Sequence, residues 1–259
     1  GTGFRGNITS FESLKPSYAR ILQVIQSDKE LCRMIPFGLK DSNMPSWARP
    51  NTNAWYGIES IAAYSPLAAR DYKQALLSLE VVDDSLGLRP VDNAALKDNY
   101  EVLRLLNVKY VVSSRLLEFP FLEKVITENN VWLYYLKGYL PRVFLTRSLD
   151  GEIREETKGR VEILEYRDGL MRVKVNVPGD AFLVFSEYAG PGWDAWVDGQ
   201  KQPILKVRNL VQAVSLQQGV HEVVFRYDPW PAPALSAGSS LAAGLLCAKE
   251  DFRLEEITR

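Results

Sequence analysis

Met171, Val173, Val175 and Val177 alternate with Arg172, Lys174 and Asn176. A period of two places the apolar set on one face of a strand and the polar set on the other, so one face is buried and one wet. VEILEY (161–166) precedes this strand across Asp168-Gly169, a dipeptide suited to a tight hairpin turn. AFLVFS (181–186) follows as a nearly continuous apolar strand. A Pro-Gly-Trp bend then opens WDAWV, which closes on Asp198-Gly199, and PILKVRNLVQAVSL (203–216), a Gln-Gln-Gly turn and VHEVVFRYDP (220–229) repeat the grammar. Roughly six strands in about 75 residues is the size of a small antiparallel β-sandwich, jelly-roll-like, assigned to residues 151–230.

The first half carries a different period. Pro16 suits a first helical position, and Tyr18, Ile21, Leu22 and Ile25 recur at helical spacing before the short strand RMIPF (33–37). A second helix is expected from about Arg70, with Tyr72, Ala75, Leu76 and Leu79 on one face. A third runs from the cap candidates Asp92 and Asn93 to Leu106, where Asn107 can take a left-handed C-cap ahead of the strand VKYVVS (108–113). VWLYYL (131–136) and PRVFL (141–145) read as further strands. Interleaved helices and strands give an α/β domain over residues 1–150, and the chain as a whole is α+β. The charged run GEIREETKGR (151–160) reads as a solvated linker.

PAPALSAGSSLAAGLLCA (231–248) is apolar but rich in Ala, Gly and Ser, and a charged tail ends the unit assigned to residues 231–259. As a helix it is shorter than the ~20 residues that cross a hydrocarbon core. It therefore reads either as a shortened membrane helix or as a small-residue helix packed on the domain.

A chain of 259 residues, 46% hydrophobic and 24% charged, can bury two cores. Thirty-one basic against 32 acidic residues, with no basic block, supply no phosphate-neutralising field, which excludes nucleic acid as the expected partner. Cys32 and Cys247 are the two cysteines, so neither a disulfide framework nor a CxxC metal pair is expected, and both read as small buried hydrophobes. GTGFRGNITS lacks a charged segment followed by an apolar one, so a role outside the cytoplasm would require a leader further upstream.

His221 is the only histidine. That leaves no two-histidine metal site, and strand alternation puts it with Val223, Phe225 and Tyr227 on the inward face, the position of a structural histidine. The neighbouring carboxylates Asp83-Asp84, Glu155-Glu156 and Glu255-Glu256 lie in polar runs and cannot face one another across a substrate as a glycosidase pair must. Neither catalytic residues, a metal site nor a cofactor is assigned; GxGxxG, P-loop, GxSxG and HExxH motifs do not occur.

Two patches suit binding. In an extended WDAWVDG, Asp194, Trp196 and Asp198 project to one side, while Trp193, Ala195 and Val197 project to the other. A Trp flanked by carboxylates can pack the apolar face of a sugar and accept its hydroxyl hydrogens, with Arg208 and Asn209 as donors if the following strand pairs alongside. The plainer reading is that Trp193 fills the core, Trp196 covers an edge and Asp198 serves the turn. In the other patch Asn51, Asn53, Trp55, Tyr56 and Tyr64 crowd a Pro- and Gly-interrupted segment, as either a binding loop or an interdomain contact.

Several short motifs also occur in a characteristic order: Asn53, Gly57, Tyr64, Pro66, Leu67 and Tyr72; then LLNVKYVVSS and LPRVFL; then Pro191-Gly192-Trp193, Val197-Asp198-Gly199, Asn209, Gly219, His221 and Phe225 to Pro229. In this order the chain resembles the C-terminal extracytoplasmic part of YfhO-type bacterial membrane proteins. Members look like GT-C-type glycosyltransferases that decorate cell-envelope polymers, such as teichoic acid or polysaccharide, with sugars from a polyprenyl-phosphate carrier. The resemblance implies a location on the extracytoplasmic face of the cytoplasmic membrane. It implies as partners a glycan or envelope polymer, the upstream transmembrane helices of a parent protein, and the membrane itself through the C-terminal segment. The family's acidic catalytic loop lies among those upstream helices, so the resemblance implies a non-catalytic accessory role, the alternative being a stand-alone carbohydrate-binding β-sandwich.

Overall fold

Ile21, Leu22 and Ile25 form the buried stripe of helix α1 (Ala19–Ser27), as their spacing predicts. Tyr18 stands before the helix in a left-handed conformation (φ 68°) and offers no side-chain cap. The first-turn amides of Arg20 and Ile21 instead donate to Glu128 Oε2 at 3.1 and 3.2 Å. A carboxylate from a distant strand thus satisfies orphan donors at the positive end of the helix. The computed structural model describes residues 18–38, 41–49, 52–61, 93–156 and 158–228. The helix expected from Arg70 and the apolar helix expected after residue 230 lie outside the described residues.

The third expected helix forms in two pieces, α2 (Asn93–Asp98) and α3 (Tyr100–Leu105). Asn99, at φ −110° and ψ 13°, breaks it. Asp and Asn side chains compete with the helix for backbone groups, which makes Asp98-Asn99 a weak point. Asn107 adopts the expected left-handed conformation (φ 59°), and its buried amide donates to the Leu140 carbonyl at 2.9 Å.

The strands assemble into three sheets. The first has the order β2-β1-β3-β5-β4 and is mixed. β1 (Arg33–Phe37) runs parallel to β2 (Glu59–Ser60) and β3 (Val108–Ser113), whereas β5 (Val131–Leu136) is antiparallel to β3 and β4 (Leu122–Glu128). The second, β11-β10-β14-β8-β7, consists of Gln200–Gln202, Trp193–Val197, Gly219–Tyr227, Leu170–Val177 and Arg160–Arg167. The third, β12-β13-β9-β6, consists of Leu205–Val207, Val211–Leu216, Ala181–Tyr188 and Val143–Thr146. Antiparallel and mixed sheets thus dominate the described residues, and the second and third sheets form the expected sandwich.

The four-stranded sheet is the middle layer. Val143, Leu145, Leu183, Phe185, Val214 and Leu216 pack with Val173, Val175 and Phe225 of the second sheet in one buried cluster. Phe144, Val184, Val211 and Ala213 join Ile35, Val108, Leu105 and Leu136 in another. Sheets buried on both faces need nearly continuous apolar strands, and VFLT and AFLVFS satisfy that demand. β6, within the stretch assigned from sequence to the first unit, thereby pairs with β9 inside the sandwich.

Candidate functional site

The Asp198-Gly199 turn closes the β10–β11 hairpin with both residues at positive φ (51° and 78°), as a two-residue hairpin with right-handed strand twist requires. Ala195 is fully buried, and Trp193 packs edge-on to Phe185 at 5.7 Å and against Tyr227 at 5.4 Å, so the inner face of β10 is the predicted one. On the outer face the Arg226 guanidinium lies 4.8 Å from the Trp196 ring centre, and Lys201 Nζ reaches Asp194 at 2.7 Å. The ring and one carboxylate proposed for sugar contact are therefore already engaged by cations.

Asp198 does not project with them. Its left-handed backbone turns the carboxylate onto β14, where Oδ1 accepts the Glu222 amide at 2.9 Å and Oδ2 lies 2.7 Å from His221 Nδ1. The histidine contact, then the amide, hold the Asp198 carboxyl below the usual carboxylate range. Strand alternation placed His221 on the inward side correctly, opposite the buried Val175 of β8. The pairing with Asp198, across 23 residues, carries no sequence signal.

Arg208 and Asn209 form the β12–β13 turn, both at positive φ (51° and 57°), and Arg208 Nη2 donates to the Gly151 carbonyl at 2.8 Å. They are not brought beside Trp196. The strand after Gln202 crosses to the four-stranded sheet instead of pairing on β10, because β10 already has β11 and β14 on its two edges. Asp150, Gly151, Lys206 and Arg208 line an open depression of about 480 Å3 there.

In the other patch, Asn53 opens a 3-10 turn (Asn53–Tyr56), is buried, and donates to the Ile58 carbonyl at 2.6 Å. Its amide fixes the loop. Tyr56 packs on the α1 side of the first sheet, and Trp55 points outward with 79% of its surface exposed. Asn51 and Tyr64 lie outside the described residues, as do Asp83, Asp84, Glu255, Glu256 and Cys247. Burial, then the charge of Asp28, push the Cys32 thiol up to about 12, which fits an unreactive half-buried cysteine. Glu156 pairs with Arg147 at 2.5 Å and Glu155 is exposed, as a polar surface run requires.

A cluster that sequence reading missed joins the first sheet to the sandwich. Arg142, 1% exposed, contacts Glu59 at short range through Nη2, lies 3.7 Å from Glu187, and sits 5.7 Å from the Tyr166 ring centre. Arg33 bridges Glu187 at 2.8 Å and Glu59 at 3.6 Å, and donates to the Ser186 carbonyl at 2.6 Å. Atoms packed around the carboxyl group push Glu59 up even though 40% of its side chain stays exposed, but the charges of Arg142 and Arg33 outweigh this and hold the carboxyl below its ordinary value. Arg142 Nε and Nη1 have no hydrogen-bond partner. The usable signal was a single charge inside an apolar run, as in LPRVFL and GIESIA, because a lone buried charge demands a partner.

Residues 146–236 match the family model described as bacterial membrane protein YfhO, a stretch that takes in the described strands from the end of β6 through β14. The match agrees with the resemblance carried by the Pro-Gly-Trp and Val-Asp-Gly motifs. The chain matches no curated protein and no solved structure. Among the described residues, no helix is long and apolar enough to cross a membrane, and no group of His, Cys, Asp or Glu could hold a metal ion.

Proposed function

We propose, from a β-module of the YfhO type, that the chain is the non-catalytic extracytoplasmic portion of a membrane protein that takes part in glycosylating cell-envelope polymers. The family match over residues 146–236 carries this reading. The commitments of the carboxylates support it: Asp194 is paired with Lys201, Asp198 with His221, Glu222 with Arg172, and Glu59 with Arg142. An acid/base pair needs two carboxyl groups open to a substrate between them, whereas three of these are held by a lysine or arginine and Asp198 by an imidazole. Transfer chemistry then belongs to membrane helices of the parent protein, with this portion supporting them or receiving the acceptor.

The test is turnover. The isolated chain, incubated with polyprenyl-phosphate sugars and glycan panels, is expected to behave like a heat-killed control. Turnover abolished by one carboxylate substitution would sink the accessory role.

Glycan binding on the outer face of β10 is the second reading, favoured by the half-buried Trp196 ring beside Asp194. With Arg226 over the ring, a sugar must use the opposite ring face or displace the guanidinium. Such a site is weak, with dissociation constants of about 0.1 to 10 mM. Titration of glycans against the chain and its Trp196→Ala variant decides it: binding that survives the substitution removes the platform.

A further inference from the structure

His221 has acceptors at both ring nitrogens. Nδ1 lies 2.7 Å from Asp198 Oδ2 and Nε2 lies 3.1 Å from the Gln217 carbonyl oxygen. A carbonyl oxygen cannot donate, and neither can an ionised carboxylate. A neutral imidazole carries one N–H and one lone pair, so in either tautomer one of these contacts places a lone pair against an oxygen. Both contacts are satisfied together only by the imidazolium.

The ring also joins elements from both sheets. Asp198 belongs to the β10–β11 turn, and Gln217 to the connection that carries the chain from β13 in the middle layer to β14 in the outer one. Gly219, at φ 146°, lies so close that an added Cβ would stand 3.3 Å from His221 Nε2. The ring side chain is 17% exposed, so water can replace a lost contact.

We propose that His221 is a proton-operated clamp, holding the Gln217–Gly219 turn against the β10–β11 turn while its ring is doubly protonated and releasing the Gln217 side when one proton leaves. The Nε2 proton leaves first. The Nδ1 proton is held by a charge-assisted bond to a carboxylate, the stronger of the two. Asp198 stays in place on release, because its other oxygen still accepts the Glu222 amide.

The surroundings leave the ring itself as the group that responds. From β8 the residue opposite is Val175, and from the β8–β9 turn Asp180 Oδ1 accepts the Gln218 amide at 3.2 Å. Glu222 and Arg172 pair with each other at 2.9 Å on the other face of the sheet. Among the described residues, Asp198 is the charged group in contact with the ring. The clamp does not depend on the glycosylation reading, and it stands or falls separately from it.

Because the chain has a single histidine, ring-nitrogen NMR on the 15N-labelled chain reports this site alone. Spectra are taken at about pH 5 and about pH 9, on either side of the range in which histidines titrate. The expected result is two N–H signals at the lower pH. At the higher pH Nδ1 keeps its proton, Nε2 becomes pyridine-like, and the Gln218 amide loses at least about fivefold of its exchange protection. In His221→Gln that protection no longer changes with pH beyond the intrinsic exchange rate. A high-pH ring protonated at Nε2, or unchanged protection at Gln218 through the titration, overturns the clamp. If His221→Gln fails to fold, the tautomer of the unsubstituted chain decides alone.

Discussion

Removing either partner of the Arg142–Glu59 pair gives unequal losses, and the difference follows from where the two charges sit. Glu59→Gln leaves a guanidinium that is 1% exposed, already lacks partners for Nε and Nη1, and has Glu187 only at 3.7 Å. An uncompensated buried charge costs about 3 to 5 kcal/mol. Arg142→Met leaves Glu59, which is 40% exposed and keeps Arg33 at 3.6 Å and the Tyr166 hydroxyl at 3.3 Å. Water and Arg33 compensate that carboxylate, while Met refills much of the volume of the arginine stem, so the cost is about 1 to 2 kcal/mol. The double variant buries no unpaired charge and should be about 1 to 3 kcal/mol more stable than the sum of the single changes implies. Urea unfolding followed by tryptophan fluorescence measures all four proteins. A larger loss for Arg142→Met than for Glu59→Gln, or additive losses in the double variant, would refute the assignment of Arg142 as the desolvated partner.

The same pair predicts an acid limb. Because the folded Glu59 carboxyl is held below its ordinary 4.5, its contribution is fully present above that value and lost as pH falls through the folded one. The stability gap between the unsubstituted chain and Glu59→Gln should therefore begin to narrow as pH falls below that ordinary value, in a pH series of urea midpoints. Asn107→Gly keeps the left-handed backbone but loses the bond to Leu140, costing about 1 to 2 kcal/mol, and Asn107→Ala should cost about 1 kcal/mol more because alanine resists φ 59°; equal midpoints would deny the backbone argument. Trp193→Ala removes ring packing on Phe185 and Tyr227 and should cost about 2 to 4 kcal/mol, whereas Trp196→Ala, losing an outer-face contact with Arg226, should cost under about 1 kcal/mol by thermal unfolding.

Local periodicity and turn chemistry determined much of this protein by themselves. The alternation in 171–177 specified both faces of β8, the stripe Ile21, Leu22 and Ile25 specified α1, and Asp198-Gly199 and Asn107 specified backbone conformations that few residues adopt without strain. The motif order in the β-module agrees with the match of residues 146–236 to the YfhO family model. Each of these rests on interactions within a few residues.

Strand partners are a different matter. Nothing within 203–216 distinguishes a strand that pairs on β10 from one that crosses to the middle layer, so Arg208 and Asn209 were placed near Trp196 by adjacency in sequence, while the fold carries them into the other sheet. The Arg33, Glu59, Arg142, Tyr166 and Glu187 cluster and the His221–Asp198 pair likewise exist only once distant strands are packed. A side chain's hydrophobicity fixes which face it takes, because that preference is felt against water alone. The partner of a charge is fixed by which strands close on it, because Coulomb attraction acts at contact distances and is weak across solvent.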